Sequence, residues 1–285
     1  MNTPYIFGST HRKLHQVVDF YTQQQWQAER YFITECFFFL LKSVLACSFA
    51  LSLFVVLALS KKLSLGFIPR YDFILLMALG IQIWLVLTKQ EHLYELKTIC
   101  WFHLLGLLLE IFKSHPSIGS WAYPEFAYSK VFGEPLYCGF MYASVASFMM
   151  QFWRRTNMQL LNYQYPKLAM LLAALVYINF FTHHFIGDYR WILAALLFCC
   201  FWQSSVVFSC YKKQIRLPLI GCFALLGAVV WLGENIATFY GAWQYPNQIA
   251  RWNWVHFGKV GSWSLMVVIT FVIIVHFVQR HESKS

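Results

Sequence analysis

The chain has 285 residues, of which 59% are hydrophobic, 20% aromatic and only 12% charged, and its formal net charge is +10. About a quarter of the residues of a soluble globular domain are charged, so this composition excludes a chain that covers a water-facing surface. Basic loops beside anionic lipid headgroups explain the positive charge, and we therefore expect membrane lipids as partners and no nucleic acid.

Eight apolar segments have the length of helices that cross a bilayer, or nearly so. They are residues 37–59, 71–88, 97–113, 135–153, 167–185, 191–210, 217–240 and 258–279. The preceding segment, 1–36, is polar, and its charged and aromatic residues predict a helix lying at the membrane surface rather than a cleavable signal peptide. The sequence thus predicts an all-α polytopic membrane protein with an interfacial segment, 1–36, and one transmembrane domain, 37–285.

The distribution of Lys and Arg residues predicts the orientation. The loops on the N-terminal side of the predicted helices carry more of these residues than the loops on the other side. Basic loops stay in the cytoplasm. We therefore predict a multi-pass protein of the bacterial cell (inner) membrane with both termini cytoplasmic.

A hexapeptide occurs twice: GSWAYP at 119–124 returns as GAWQYP at 241–246. Each copy follows an apolar segment with a glutamate near its end, Glu110 before the first and Glu234 before the second. An aromatic belt at headgroup depth explains the Trp and Tyr residues, but it explains the glutamates poorly. The spacing places both copies on one membrane face, as in parallel repeats. The sequence predicts two four-helix repeats, 37–153 and 167–279.

Ionisable residues inside predicted membrane helices indicate a functional site, because they are costly in hydrocarbon unless they face the protein interior or a wet cavity. Snorkelling to the membrane surface is the alternative for those near helix ends. We predict four acid–base residues near the same end of the helices: Glu234, Glu110, His183 and His184. We predict six substrate-binding residues beside them: Trp121, Tyr123, Trp243, Tyr245, Asn235 and Asp188.

Metal and cofactor motifs are weak or missing. His183, His184 and Asp188 could supply ligands, but the H-x-x-H-H clusters of membrane di-iron desaturases are absent from the sequence. No C-x-x-C pair, P-loop, G-x-G-x-x-G or G-x-S-x-G occurs. We therefore predict no metal and no cofactor.

Residues 119–154, GSWAYPEFAYSKVFGEPLYCGFMYASVASFMMQFWR, resemble a family of uncharacterised bacterial integral membrane proteins, the YoaT-like domain of unknown function. GAWQYPNQIARWNWVHFGKVGSWSL fits the same family. The resemblance implies no activity and no residue roles. A more distant similarity is to archaeal-type lycopene cyclases and carotenoid hydratases, which also have glutamates near helix ends and aromatic-rich loops. The P-x-E-E signature of those cyclases is absent, the nearest strings being YPEF and GEPL.

These features favour an acid–base enzyme or binding protein for a lipophilic, isoprenoid- or carotenoid-like substrate. A buried carboxyl group that holds its proton can protonate an alkene, and Trp or Tyr faces can stabilise the resulting cation. A proton-coupled secondary transporter is the alternative, since protonatable residues in membrane helices serve it equally well. A membrane scaffold subunit, with polar residues that only join helices, is the second alternative.

Overall fold

The structure of the protein, a computed structural model, describes residues 28–63 and 66–282. Most of the predicted interfacial segment, 1–36, lies outside the described residues, and its residues 28–36 form the start of the first helix. The α-helices of the described part are α1 Ala28–Ala46, α2 Ser48–Ser60, α3 Arg70–Leu87, α4 Leu93–Ser114, α5 Cys138–Thr156, α6 Pro166–Thr182, α7 Arg190–Phe201, α8 Leu219–Phe239 and α9 Lys259–Glu282.

Short strands accompany the helices. Strands β1, Lys130–Val131, and β2, Glu134–Pro135, form a hairpin before α5. Strands β3, Gln159–Leu161, β4, Ser205–Ser209, and β5, Gln214–Pro218, form an antiparallel sheet in the order β3-β4-β5. The protein is therefore mostly, but not entirely, helical.

The structure does not support eight membrane spans. In the described residues, α3, α8 and residues Lys259–Val278 of α9 are long and apolar enough to cross a membrane, and α1 with α2 could supply a fourth, bent span. Helix α7 has 12 residues and reaches about 18 Å at 1.5 Å per residue, short of a hydrocarbon core about 30 Å thick. Helix α4 is long enough, but it carries four charged side chains, those of Glu95, Lys97, Glu110 and Lys113.

Two predicted helices differ from the observed elements. The segment 191–210 ends as a helix at Phe201, and its last residues form strand β4. A short apolar run rich in valine fits a strand as well as a helix, so periodicity cannot separate them. The segment 37–59 is broken at Cys47 into α1 and α2, which are bent by 64°. Lys42 of α1 donates a hydrogen bond to the Ser209 carbonyl, so α1 is joined to strand β4 of the sheet.

The prediction of two four-helix repeats is also unsupported. The range 37–153 holds most of five helices, whereas 167–279 holds four helices and the β4–β5 hairpin. Two helix pairs nevertheless pack alike. A Cβ atom on Gly106 of α4 would overlap Tyr142 of α5, and one on Gly227 of α8 would overlap Ser264 of α9. Each glycine thus permits a close helix contact beside the residues described next.

Candidate functional site

Glu110, near the C-terminal end of α4, is buried and accepts three hydrogen bonds. Its Oε2 accepts from the Trp121 indole Nε1 at 2.6 Å and from the Tyr123 hydroxyl at 2.8 Å. Its Oε1 lies 2.6 Å from the hydroxyl of Tyr142, on the first turns of α5. Two of these donors come from the first hexapeptide, so the loop folds back over the helix that precedes it.

Glu234, near the C-terminal end of α8, has a corresponding environment. Its Oε1 lies 2.6 Å from the Tyr245 hydroxyl of the second hexapeptide. Its Oε2 accepts from the indole Nε1 of Trp263, on the first turns of α9, at 2.8 Å. Each glutamate is therefore held by an aromatic residue of its own hexapeptide and by one from the next long helix.

The two hexapeptides pair with each other. Ala122 and Gln244 exchange both backbone hydrogen bonds, each 2.9 Å long, in an antiparallel bridge. Arg70, at the start of α3, supports the second copy by donating to the carbonyls of Tyr240 and Gly241, and it also binds the Glu125 carboxylate at 2.7 Å. The loops are thus fixed to one another and to the helix bundle.

Glu110 and Glu234 line one cavity of about 360 Å³. It lies where α4, α6 and α8 end and where α5, α7 and α9 begin, which is one end of the bundle. Polar and aromatic side chains form one part of its wall: Lys113, Trp121, Tyr142, His183, Arg190, Trp243, Tyr245, Lys259 and Trp263. Apolar side chains form another part: Leu109, Met141, Phe180 and Met266.

Lys259, the first residue of α9, lies between aromatic rings at this cavity. Its Nζ is 4.7 Å from the centre of the Trp121 ring and 4.9 Å from that of Tyr245, which are cation–π distances. Both cavity glutamates attract its ammonium electrostatically. The ammonium forms no hydrogen bond or ion pair with any side chain or carbonyl in the described ranges.

Lys113, at the end of α4, contacts both predicted histidines. Its Nζ lies 2.7 Å from Nε2 of His184 and 3.3 Å from Nε2 of His183. A protonated Lys113 ammonium can only donate, so both Nε2 atoms act as acceptors when Lys113 carries its charge. His183 Nδ1 lies 2.9 Å from the Asn179 carbonyl, to which it donates in the same tautomer. Both histidines are therefore neutral in this arrangement.

The electrostatic surroundings agree with neutral histidines. Partial loss of hydration and the Lys113 ammonium lower the pKa of His184, an exposed residue, to about 4. Burial is also the main cause that lowers the pKa of His183. Asp188 differs, because the hydrogen bond from Arg190 holds the pKa of its carboxyl well below the ordinary value. Both histidines thus hold a proton less readily than an ordinary imidazole.

The structure brings together only some of the residues predicted from sequence. Six of them line the cavity: Glu110, Glu234, His183, Trp121, Trp243 and Tyr245. Tyr123 reaches Glu110 without lining the cavity, and His184 is an exposed residue beside it. Asp188 pairs with Arg190, with 2.5 Å between Oδ2 and an Arg190 nitrogen.

Asn235 does not line the cavity. Its amide donates to the Trp231 carbonyl at 2.8 Å and accepts from the Val255 N–H at 2.9 Å, so it fixes the loop before α9. Its side chain thus holds backbone in this arrangement, and its predicted binding role stays a prediction. The catalytic and binding roles of the other residues stay predictions.

Among the charged, tyrosine and tryptophan residues of the cavity wall, sequence reasoning missed five: Lys113, Tyr142, Arg190, Lys259 and Trp263. Lys259 lies at the start of the predicted segment 258–279, and helix α9 begins with it. Tyr142 and Trp263 look like ordinary membrane aromatic residues in sequence. Their equivalent positions, each the fifth residue of the helix that follows a hexapeptide, were the available signal.

A metal site finds no support in the side chains that the structure describes, where no three His, Cys, Asp or Glu residues group as ligands. The Nε2 atoms of His183 and His184 face the Lys113 ammonium instead.

Comparison with known proteins identifies the family of the chain. Residues 35–271 match the family described as "Protein of unknown function (DUF817)". The chain belongs to this family. A relative, "Uncharacterized protein YoaT" of Bacillus subtilis (strain 168), is 47% identical over 241 residues, which are 85% of this chain and 90% of the relative. The sequence resemblance to the YoaT-like family is therefore confirmed.

Neither the family nor this relative has a defined activity in its description. The distant similarity to carotenoid cyclases and hydratases is not shown. No solved structure matches the chain.

Proposed function

We propose that the chain is an integral membrane protein whose cavity binds a small lipophilic molecule and carries out acid–base chemistry on it. One observation carries the proposal: Glu110 and Glu234, from two different helices, face the same cavity of about 360 Å³. Burying two carboxyl groups at one cavity is expensive, and such groups normally have a role. The volume lies near the lower end of the range of ligand pockets, about 300–1,000 Å³, which favours a small substrate over a full-length carotenoid.

The hydrogen bonds suggest which carboxyl oxygen exchanges a proton. An indole N–H can only donate, so Oε2 of Glu110 and Oε2 of Glu234 both act as acceptors. Each Oε1 faces a tyrosine hydroxyl, that of Tyr142 or of Tyr245, which can donate or accept. A proton transferred to or from substrate is therefore carried at Oε1. Glu234, with fewer donors than Glu110, is the first candidate acid.

The location of the cavity favours this function over the alternatives. Transporter sites usually lie near the middle of the membrane, whereas this cavity lies at one end of the helices. A scaffold would use its polar residues for contacts between helices, whereas Glu110 and Glu234 border open volume. We therefore rank the enzyme or binding protein before the transporter, and the scaffold last.

We also propose that the cavity opens on the outer face of the bacterial cell (inner) membrane. Basic residues lie at the opposite end of the bundle, after α3, in the last turn of α5 and in the β4–β5 hairpin: Lys89, Arg154, Arg155, Lys212, Lys213 and Arg216. Basic loops stay in the cytoplasm. Reporter fusions after residues 90 and 187 test the orientation, since the first should report the cytoplasm and the second the outside.

Comparative lipid extraction tests the function. A deletion strain is complemented with the wild-type gene, with Glu234→Gln or with Glu91→Gln, and its lipophilic compounds are compared by mass spectrometry. Glu91 is the matched control because it is a buried, hydrogen-bonded glutamate away from the cavity. We expect a compound whose level changes on deletion and is restored by wild type and Glu91→Gln, but not by Glu234→Gln present at equal amount. Restoration by Glu234→Gln would refute the catalytic role.

A further inference from the structure

Some hydrogen-bond donors at the cavity have no acceptor among the described residues. The Glu110 carboxyl group already forms three hydrogen bonds and the Glu234 carboxyl group two. The Lys259 ammonium has three N–H donors, none of which is used within the described ranges, and its stem enters the cavity wall. The unused hydrogen-bond donors at this site are therefore those of a cation, the Lys259 ammonium.

Two further cations face the same volume. Lys113 uses two of its three donors on the histidines, and Arg190 binds Asp188 and the Ser262 hydroxyl. Lys259 and Arg190 both repel the Lys113 ammonium. A group that accepts hydrogen bonds and carries negative charge would relieve this repulsion and occupy the free donors of Lys259.

Another part of the cavity wall is apolar. Leu109, Met141, Phe180 and Met266 border the cavity, and a second, small pocket of about 10 Å³ shares Met266 and Trp263 with it and is lined mostly by apolar side chains. An apolar chain of a ligand would contact these residues, while its polar end faces Lys259. The cavity wall thus offers both cationic and apolar side chains.

We infer that the ligand is an amphipathic acid, whose carboxylate or phosphate head binds the Lys259 ammonium and whose short apolar part packs on Met141, Phe180 and Met266. This inference rests on the proposed function and specifies its substrate class. The aromatic rings of Trp121 and Tyr245 hold the Lys259 side chain in place, so the cation is positioned before the ligand arrives. Lys259 is a binding residue in this scheme, and the proton donor remains Glu234.

The test uses four probes of equal chain length: hexanoate, hexyl phosphate, 1-hexanol and hexylammonium. Their binding to the purified full chain in lipid nanodiscs is measured by titration calorimetry, with empty nanodiscs subtracted. The variants are Lys259→Met, Lys259→Arg and, as a control, Lys167→Met at the exposed start of α6. The acidic probe that binds more tightly, hexanoate or hexyl phosphate, identifies the acidic head group that the site prefers.

We expect at least one acidic probe to bind wild type, Lys167→Met and Lys259→Arg, and to bind Lys259→Met at least tenfold more weakly. 1-Hexanol should bind all four proteins equally, which also verifies that Lys259→Met is folded. The acidic class is wrong if 1-hexanol or hexylammonium binds wild type as tightly as the acidic probes do. It is also wrong if Lys259→Met keeps full affinity for the acidic probes. In both cases the cavity proposal stands. If no probe binds wild type, both proposals fail.

Discussion

Ala122 and Gln244 occupy the same position in the two hexapeptides and donate their backbone N–H groups to each other's carbonyl oxygens, both at 2.9 Å. An antiparallel bridge between equivalent residues has a local two-fold axis through its centre. Because Trp121 and Tyr245 each bind the glutamate of the preceding helix, this bridge brings Glu110 and Glu234 to one cavity. The repeated hexapeptide is therefore the feature that assembles the site.

The hydrogen bonds to the two glutamates predict a loss of stability when a donor is removed. Tyr142→Phe deletes the donor at Glu110 Oε1, and Trp263→Phe deletes the donor at Glu234 Oε2. Each change should lower the free energy of unfolding by about 1–3 kcal/mol, because a buried carboxyl group loses a partner. Thermal unfolding in detergent measures the effect. Tyr128→Phe, at an exposed tyrosine, is the control, and equal midpoints for Tyr142→Phe and this control would contradict the prediction.

Close packing of the helix pairs predicts that alanine is poorly tolerated at their glycines. Gly227→Ala places a methyl group against Ser264, so we expect a loss of roughly 1–3 kcal/mol from overpacking. Gly80→Ala is the matched control, since no atom lies within 4 Å of the Cβ position at Gly80. That change should be neutral or stabilising by up to about 1 kcal/mol, because alanine favours helices. Unfolding midpoints that fall equally in both variants would contradict the close contact.

Parts of this architecture follow from sequence for physical reasons. The predicted segments 71–88 and 217–240 correspond to Arg70–Leu87 and Leu219–Phe239, because both are long, apolar runs that end at proline or polar residues. The break at Cys47 and strand β4 could not be predicted, since both depend on contacts with distant residues. Lys42, for example, binds the carbonyl of Ser209, far along the chain.

The candidate site, too, could be predicted from the sequence only in part. The high cost of burying Glu110, Glu234 and His183 identifies them from sequence as residues that need an interior cavity. Tyr142 and Lys259 were not predictable as site residues, because the sequence does not say which faces of different helices meet. Their positions follow from the pairing of the two hexapeptide loops, which is a tertiary contact.

The buried carboxyl group of Glu134, in the hairpin before α5, predicts a pH dependence of stability. Burial raises the pKa of Glu134 from 4.5 to about 7. Between these values the unfolded chain has lost the proton that the folded chain still holds, so stability falls as pH rises from about 4.5 to about 7. The contribution is on the order of 3 kcal/mol, since one pKa unit corresponds to about 1.4 kcal/mol.

Glu134→Gln should remove this contribution. The difference in unfolding midpoint between the variant and wild type is measured from pH 4.5 to 8, so that other titrating groups cancel. We expect the variant to gain stability relative to wild type as pH rises. A difference that stays constant over this range would show that Glu134 titrates alike in both states.

The pairing of the hexapeptides predicts a specific cross-link. Residues opposite each other in such a bridge have Cα atoms about 5.5 Å apart, and disulfides form at Cα distances of about 4.4–6.8 Å. The double variant Ala122→Cys with Gln244→Cys should therefore form a disulfide on mild oxidation. A protease site inserted after Gln164, in the exposed turn before α6, makes the bond visible on a gel. The cleaved halves should migrate as one band until they are reduced.

Two controls test whether this cross-link is specific to the bridge. Each single variant tests whether one of the eight native cysteines forms the bond instead. Pairing Ala122→Cys with Asn247→Cys moves the second thiol to an exposed residue past the bridge, so its cross-link should be weaker. Efficient bonding in that pair, or none in Ala122→Cys with Gln244→Cys, would mean that the loops do not pair in register. The cavity would then lack the contact that brings Glu110 and Glu234 together, because each glutamate is held by its own hexapeptide.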